Sequence, residues 1–102
     1  MNYDIIVLPK ALGDIRDAST WYLKESPGLE KEFWEEIYQT LQRISAYPSR
    51  FSLADSIAEI RRAKPRRFPY NIYFYTNEAM HRVEIIAIVH KARDPRVWKK
   101  RI

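Results

Sequence analysis

Apolar positions along this chain keep three different rhythms. Tyr3 to Leu8 places Ile5, Ile6, Val7 and Leu8 in unbroken succession, a run long enough for a buried strand and too short for a helix. From about Pro9 to Glu25 they recur at three- and four-residue steps, at Leu12, Ile15, Ala18 or Ser19, and Tyr22, which predicts a helix. Pro9 suits its first turn, having no N–H to lose there. Gly13, inside that helix, costs about 1 kcal/mol relative to alanine. Ser26-Pro27-Gly28 ends the helix and predicts a second, with Ser26 as cap, Pro27 in the first turn, and Glu30 and Glu32 near the positive end of the macrodipole. In this second helix Leu29, Phe33, Ile37, Leu41 and Ile44 form a stripe widened by Trp34 and Tyr38. Trp21, Tyr22, Phe33 and Trp34 are all expected in the core. Glu35 and Glu36 are adjacent, about 100° apart on a helix, and are not expected to converge.

After Ser45 the rhythm changes. Ser45 to Ala54 carries Pro48 and polar residues without period, and reads as a connecting loop. Three strand-like segments follow, roughly Ile57 to Ala63, Phe68 to Thr76 and His81 to His90, separated by stretches short enough for hairpins. In the middle one Ile72 and Phe74 alternate with Asn71, Tyr73 and Tyr75, giving one apolar and one aromatic-polar face. The last contains VEIIAIV, almost continuously apolar, so both its faces must meet protein. The order β-α-α-β-β-β predicts an α+β fold, a twisted antiparallel sheet with a helical hairpin on one face, in a single domain spanning 1–102. The opposite face is left for a ligand or partner.

Charge sharpens this picture. The chain carries a net +5, yet residues 1–60 hold 6 Lys+Arg against 10 Asp+Glu and residues 61–102 hold 12 against 3. The positive field belongs to the sheet half, where Arg61, Arg62, Lys64, Arg66 and Arg67 cluster in and around the first hairpin and Arg93 follows the last strand. Such a surface draws a polyanion or an acidic protein segment. The alternative is that the same cations do no more than protect an exposed strand edge. With no cysteine there is neither disulfide nor thiolate metal site, and the expected compartment is the cytoplasm. No stretch is long and apolar enough to span a bilayer. His81 and His90 lie about 30 Å apart along a strand, too far to share an ion, so neither metal nor cofactor is expected. Asp94 is expected to cap a final turn in which Trp98 folds back and covers the sheet edge.

Four landmarks taken in order resemble the RelE/ParE toxins of bacterial type II toxin-antitoxin systems, the plasmid stabilisation proteins. They are the opening strand with Pro9, WYLKESPGLEKEF from Trp21 to Phe33, IRRAKPRRFPYNIYFY from Ile60 to Tyr75, and IIAIVHKARDPRVW from Ile85 to Trp98. The resemblance implies a growth-inhibiting protein held silent by a cognate antitoxin, within a toxin-antitoxin hetero-oligomer. It also implies one of two targets. RelE-like members cut messenger RNA on the ribosome, and ParE-like members inhibit DNA gyrase without hydrolytic chemistry. Metal-free RNA cleavage requires a base, an acid and cations to stabilise the phosphorane. His90 is the candidate for proton transfer, with Arg61, Arg67 and Arg93 for charge. The ribonuclease branch has an arginine near the start of the central strand, where this chain has Asn71, and a tyrosine near the end of the tail that this chain lacks. Asparagine supplies no cation, and the resemblance therefore leans toward the ParE-like branch. On that reading Arg61, Arg62, Lys64, Arg66, Arg67 and Arg93, picked out by their charge, are the expected target-contact residues. A toxin fold that serves only as a binding module is the third alternative.

Overall fold

The computed structural model describes residues 2–102. Its elements run β1 (Asp4–Val7), α1 (Pro9–Glu25), α2 (Leu29–Ala46), a 3-10 turn (Pro48–Arg50), β2 (Ser52–Asp55), β3 (Ile60–Ala63), β4 (Tyr70–Asn77), β5 (Arg82–His90) and a C-terminal 3-10 helix (Pro95–Arg101). The five strands form one sheet in the order β1-β5-β4-β3-β2. The expected meander is present as β3, β4 and β5, and the continuously apolar β5 lies inside the sheet, paired on both sides.

The expected α+β fold is present, and its sheet differs from expectation in two details. β1 lies parallel to β5, so the sheet is mixed rather than antiparallel. A fourth strand after the helices, β2, occupies part of the expected loop and pairs antiparallel with β3. Its residues Ser52, Leu53 and Ala54 are exposed, so no buried face imposes a period on them. The strand expected from Ile57 begins instead at Ile60, because Ser56 to Glu59 make the β2–β3 turn, with Glu59 at φ 57° and the Asp55 carboxylate accepting from the Ala58 amide.

Both helices lie on one face. Ala11, Ile15, Ala18 and Tyr22 of α1, spaced four, three and four apart, meet Phe33, Ile37 and Ile44 of α2 over Ile72, Phe74, Val83, Ile85 and Ile88. Trp21 and Trp34 depart from expectation. They are 55% and 41% exposed, each one residue and therefore about 100° from a buried aromatic, Tyr22 and Phe33. The junction is also differently built. Ser26 ends α1, and α2 starts after Gly28, whose φ of 102° suits glycine. The Glu30 carboxylate accepts from the Gly28 amide at 2.8 Å.

The opposite face is covered in part, with a cleft of about 470 Å³ left between Ile60, Tyr75, Ile86 and Arg101. Trp98 of the C-terminal 3-10 helix closes a second core of Ile60, Tyr73, Ile86, Ala87 and Val89. Tyr73 pairs with Ala87 and Phe74 with Ile85, so Ile86 is an extra residue in β5 and joins Ala87 in that core.

Gly13 has nothing within 4 Å of where a Cβ would stand. Gly13→Ala is therefore expected to raise stability by about 1 kcal/mol, by removing the glycine penalty in a helix interior. Urea unfolding checks this, and an unchanged midpoint would mean that the backbone at this position is not free to gain.

Candidate functional site

β5 outruns its parallel neighbour. The β1 pairing ends at Ile85, and beyond it the β5 edge needs other partners. Asp14 of α1 and Arg101 of the C-terminal 3-10 helix provide them. Asp14 Oδ2 accepts from the Ile88 amide at 2.9 Å, and Arg101 Nη1 donates to the Ile86 carbonyl at 3.1 Å. The two side chains also join each other, Nη1 to Oδ2 at 2.6 Å and Nη2 to Oδ1 at 3.0 Å, with only 14% of Asp14 and 16% of Arg101 exposed. Those hydrogen bonds to Asp14 raise the Arg101 pKa above the usual guanidinium range. The tail is thus fastened to helix and sheet together. Sequence reasoning missed this pair, and nothing local to either residue marks it.

Just past this fastening, His90 ends β5 beside a cleft of about 230 Å³ lined also by Asp17, Trp21, Tyr70 and Arg93. The Ala92 amide donates to His90 Nδ1 at 3.1 Å. A neutral ring held this way carries its proton on Nε2, leaving that nitrogen a donor rather than a base. Tyr70 packs edge-on to His90 with ring centroids 5.3 Å apart. Burial first, and then the neighbouring Tyr22 hydroxyl, push the Tyr70 phenol up to about 12, so it stays neutral.

The other sequence-predicted cations lie on β3 and in the β3–β4 connection, and their side chains turn different ways. Neighbouring residues in a strand point to opposite faces, and Arg61 and Arg62 are divided in this way. Arg61 stands opposite Phe74 of the helix-side core, donates to the Phe51 carbonyl at 2.6 Å, and borders a cleft with Ser49, Glu59, Thr76 and Glu78. Arg62 stands opposite Tyr73 of the other core. Lys64 and Arg66 are exposed in the β3–β4 connection. Arg67, in the same connection at φ 66°, reaches α2 and pairs with Glu32 at 2.8 Å, both side chains well solvated. His90 and Arg93 share one cleft. Asp94 caps the C-terminal 3-10 helix as expected. It accepts from the Arg96 guanidinium at 3.1 and 3.0 Å and from the Arg96 amide at 2.9 Å, and these bonds, the side-chain ones foremost, lower its carboxyl to about 2.

Glu35 and Glu36 border one open groove, which does not make them the converging acid pair that the sequence argues against. Side chains 100° apart still line the two sides of a channel that runs along the helix flank between them. Among the described residues, no group of three or more His, Cys, Asp or Glu is placed to hold a metal ion.

Residues 5–95 match the family described as "ParE toxin of type II toxin-antitoxin system, parDE". Two solved structures are similar in fold. A chain of the chromosomal ParDE toxin-antitoxin system from P. aeruginosa has 13% identity and a TM-score of 0.75, covering 86% of this chain and 95% of that one. A double-arginine mutant of the E. coli toxin RelE in the free state has 17% identity and a TM-score of 0.63, covering 99% and 95%. No curated protein matches the chain.

Proposed function

Since the chain belongs to the ParE toxin family of type II toxin-antitoxin systems, which implies a cognate antitoxin, we propose that it arrests growth by binding DNA gyrase and not by cutting RNA. The supporting observation is the separation of the groups that cleavage needs. His90 and Arg93 border one cleft, Arg61 a second and Arg67 a third. Phosphoryl transfer without a metal depends on a base and cations aimed at the same few ångströms. A binding surface makes no such demand. It needs exposed cations over a broad area, and Lys64, Arg66, Arg67 and Arg93 are all exposed.

Unbalanced expression of the toxin with pulse-labelled thymidine and methionine separates the two readings. Under gyrase inhibition, incorporation into DNA falls before incorporation into protein, and primer extension finds message intact. Early arrest of translation would favour the ribonuclease, above all if cuts in the ribosomal decoding site disappeared with His90→Ala or Arg67→Ala.

A further inference from the structure

One side chain on α2 is unlike its neighbours. Glu36 is 9% exposed, and its Oε2 is sealed from water with no hydrogen-bond partner. A carboxylate oxygen withdrawn from water without a donor is unfavourable. The helix adds to the strain, because Glu32 stands four residues earlier, a spacing at which like charges repel. Glu32, Glu35, Glu36 and Gln39 follow the i, i+3, i+4, i+7 spacing of one helix flank and, with Lys31 and Arg67, line an open groove of about 370 Å³. Within it the Gln39 amide donates to Glu35 at 3.2 Å and the Arg67 guanidinium to Glu32 at 2.8 Å. Glu36 Oε2 is the oxygen left without a donor.

A cation would satisfy that oxygen, and among the described residues these carboxylates are not placed to hold a metal ion. A guanidinium suits them better than an ammonium. Its five donors lie in one plane and reach two carboxylates together, whereas an ammonium is a compact, strongly hydrated point charge. We infer that this groove seats an arginine side chain of the cognate antitoxin, toward which the Glu36 carboxylate turns out of its buried position to accept from the guanidinium, while that guanidinium bridges to Glu32 or Glu35.

The occupant follows from charge, and it rests on the toxin reading above. Three carboxylates against Lys31 and Arg67 leave this groove at a net −1 on a chain of net +5, a local reversal of sign. The target surface proposed above consists of cations and makes no use of the groove's carboxylates. A silencing partner, by contrast, must recognise one toxin among many. One that places arginine at this register is rewarded, and one that does not leaves a carboxylate buried and unpaired. Arg67 connects the two surfaces. It is both a proposed target contact and the cation already in the groove, so an arriving guanidinium competes with it for Glu32.

The first measurement titrates the ¹⁵N-labelled full chain with N-acetyl-arginine methylamide, and separately with the lysine equivalent. The arginine probe is expected to shift the Gln39 side-chain amide, the Glu36 backbone amide and the Arg67 Nε–H saturably, more strongly than the lysine probe, and Glu36→Gln is expected to abolish the response. The second measures the complex with the antitoxin encoded beside the toxin gene. Glu36→Gln is expected to weaken that complex by roughly 30-fold or more, the scale for removing one partner of a buried charge pair. The melting temperature of the free toxin should stay the same or rise. Replacing the antitoxin's own anchoring arginine by alanine should weaken the complex equally and not add to Glu36→Gln. Absence of a response to the arginine probe, unchanged antitoxin affinity, or a fall in the free protein's melting temperature would each overturn the inference while leaving the toxin reading in place. An antitoxin that fails to bind the wild-type chain would overturn both.

Discussion

Replacing Trp98 by alanine is expected to destabilise the protein by about 3 kcal/mol, the scale for truncating a buried aromatic. The indole is 5% exposed and is the buried residue of the C-terminal 3-10 helix. It covers Ile60, Tyr73, Ile86, Ala87 and Val89, a face of the sheet that neither α-helix reaches. Losing it leaves a cavity between the tail and the sheet, and the tail has little else apolar with which to refill it. Lys99, Lys100 and Arg101 follow directly. Urea unfolding measures the effect as a lower midpoint at unchanged slope. A loss below about 1 kcal/mol would mean that the ring is held loosely and is free for contact with another molecule.

The second large effect is expected at Asp14. Asp14→Ala should cost about 3 kcal/mol, because it strands the Arg101 guanidinium and leaves the Ile88 amide without its acceptor in one step. Partial exposure of both side chains keeps the loss at the lower end for a buried pair. A double-mutant cycle checks the assignment. In the Asp14→Ala background, Arg101→Met should cost little more, since the guanidinium has already lost its partner. Full additivity would mean that the two residues act independently. The sign of the pH dependence also follows. A base whose folded pKa is raised stabilises fully below its unfolded pKa and loses that contribution only as pH rises through the folded value. For Arg101 both lie beyond the alkaline limit of ordinary assays, so mild alkali does not release the tail.

Much of this architecture was legible because apolar pattern and burial are the same information. The unbroken VEIIAIV run foretold a strand covered on both faces, and Ile72 and Phe74 foretold the face that the helices cover. Asp94 and Trp98 were legible as cap and cover because cap chemistry is local and a lone tryptophan in a basic tail has few other uses. What escaped has no local signature. β2 exposes Ser52, Leu53 and Ala54 and so shows no alternation. The parallel pairing of β1 with β5 and the Asp14–Arg101 tie join residues more than 70 positions apart, which no window of sequence contains. Trp21 and Trp34 were misplaced for another reason. Their residue type spoke for the core while their angular position on each helix spoke against it. The division of Arg61 from Arg62 was available in advance from strand alternation, and it limits how many of the sheet-half cations share one face.

The account depends on a toxin that inhibits by contact, with DNA gyrase as the partner it contacts. Supercoiling of relaxed plasmid by purified gyrase, with and without micromolar toxin, tests this most directly. Inhibition should appear with wild-type protein, weaken when Lys64, Arg66 and Arg67 are replaced together by glutamine, and disappear when the antitoxin is added first. Full supercoiling at micromolar toxin, with folded protein present throughout, would contradict it.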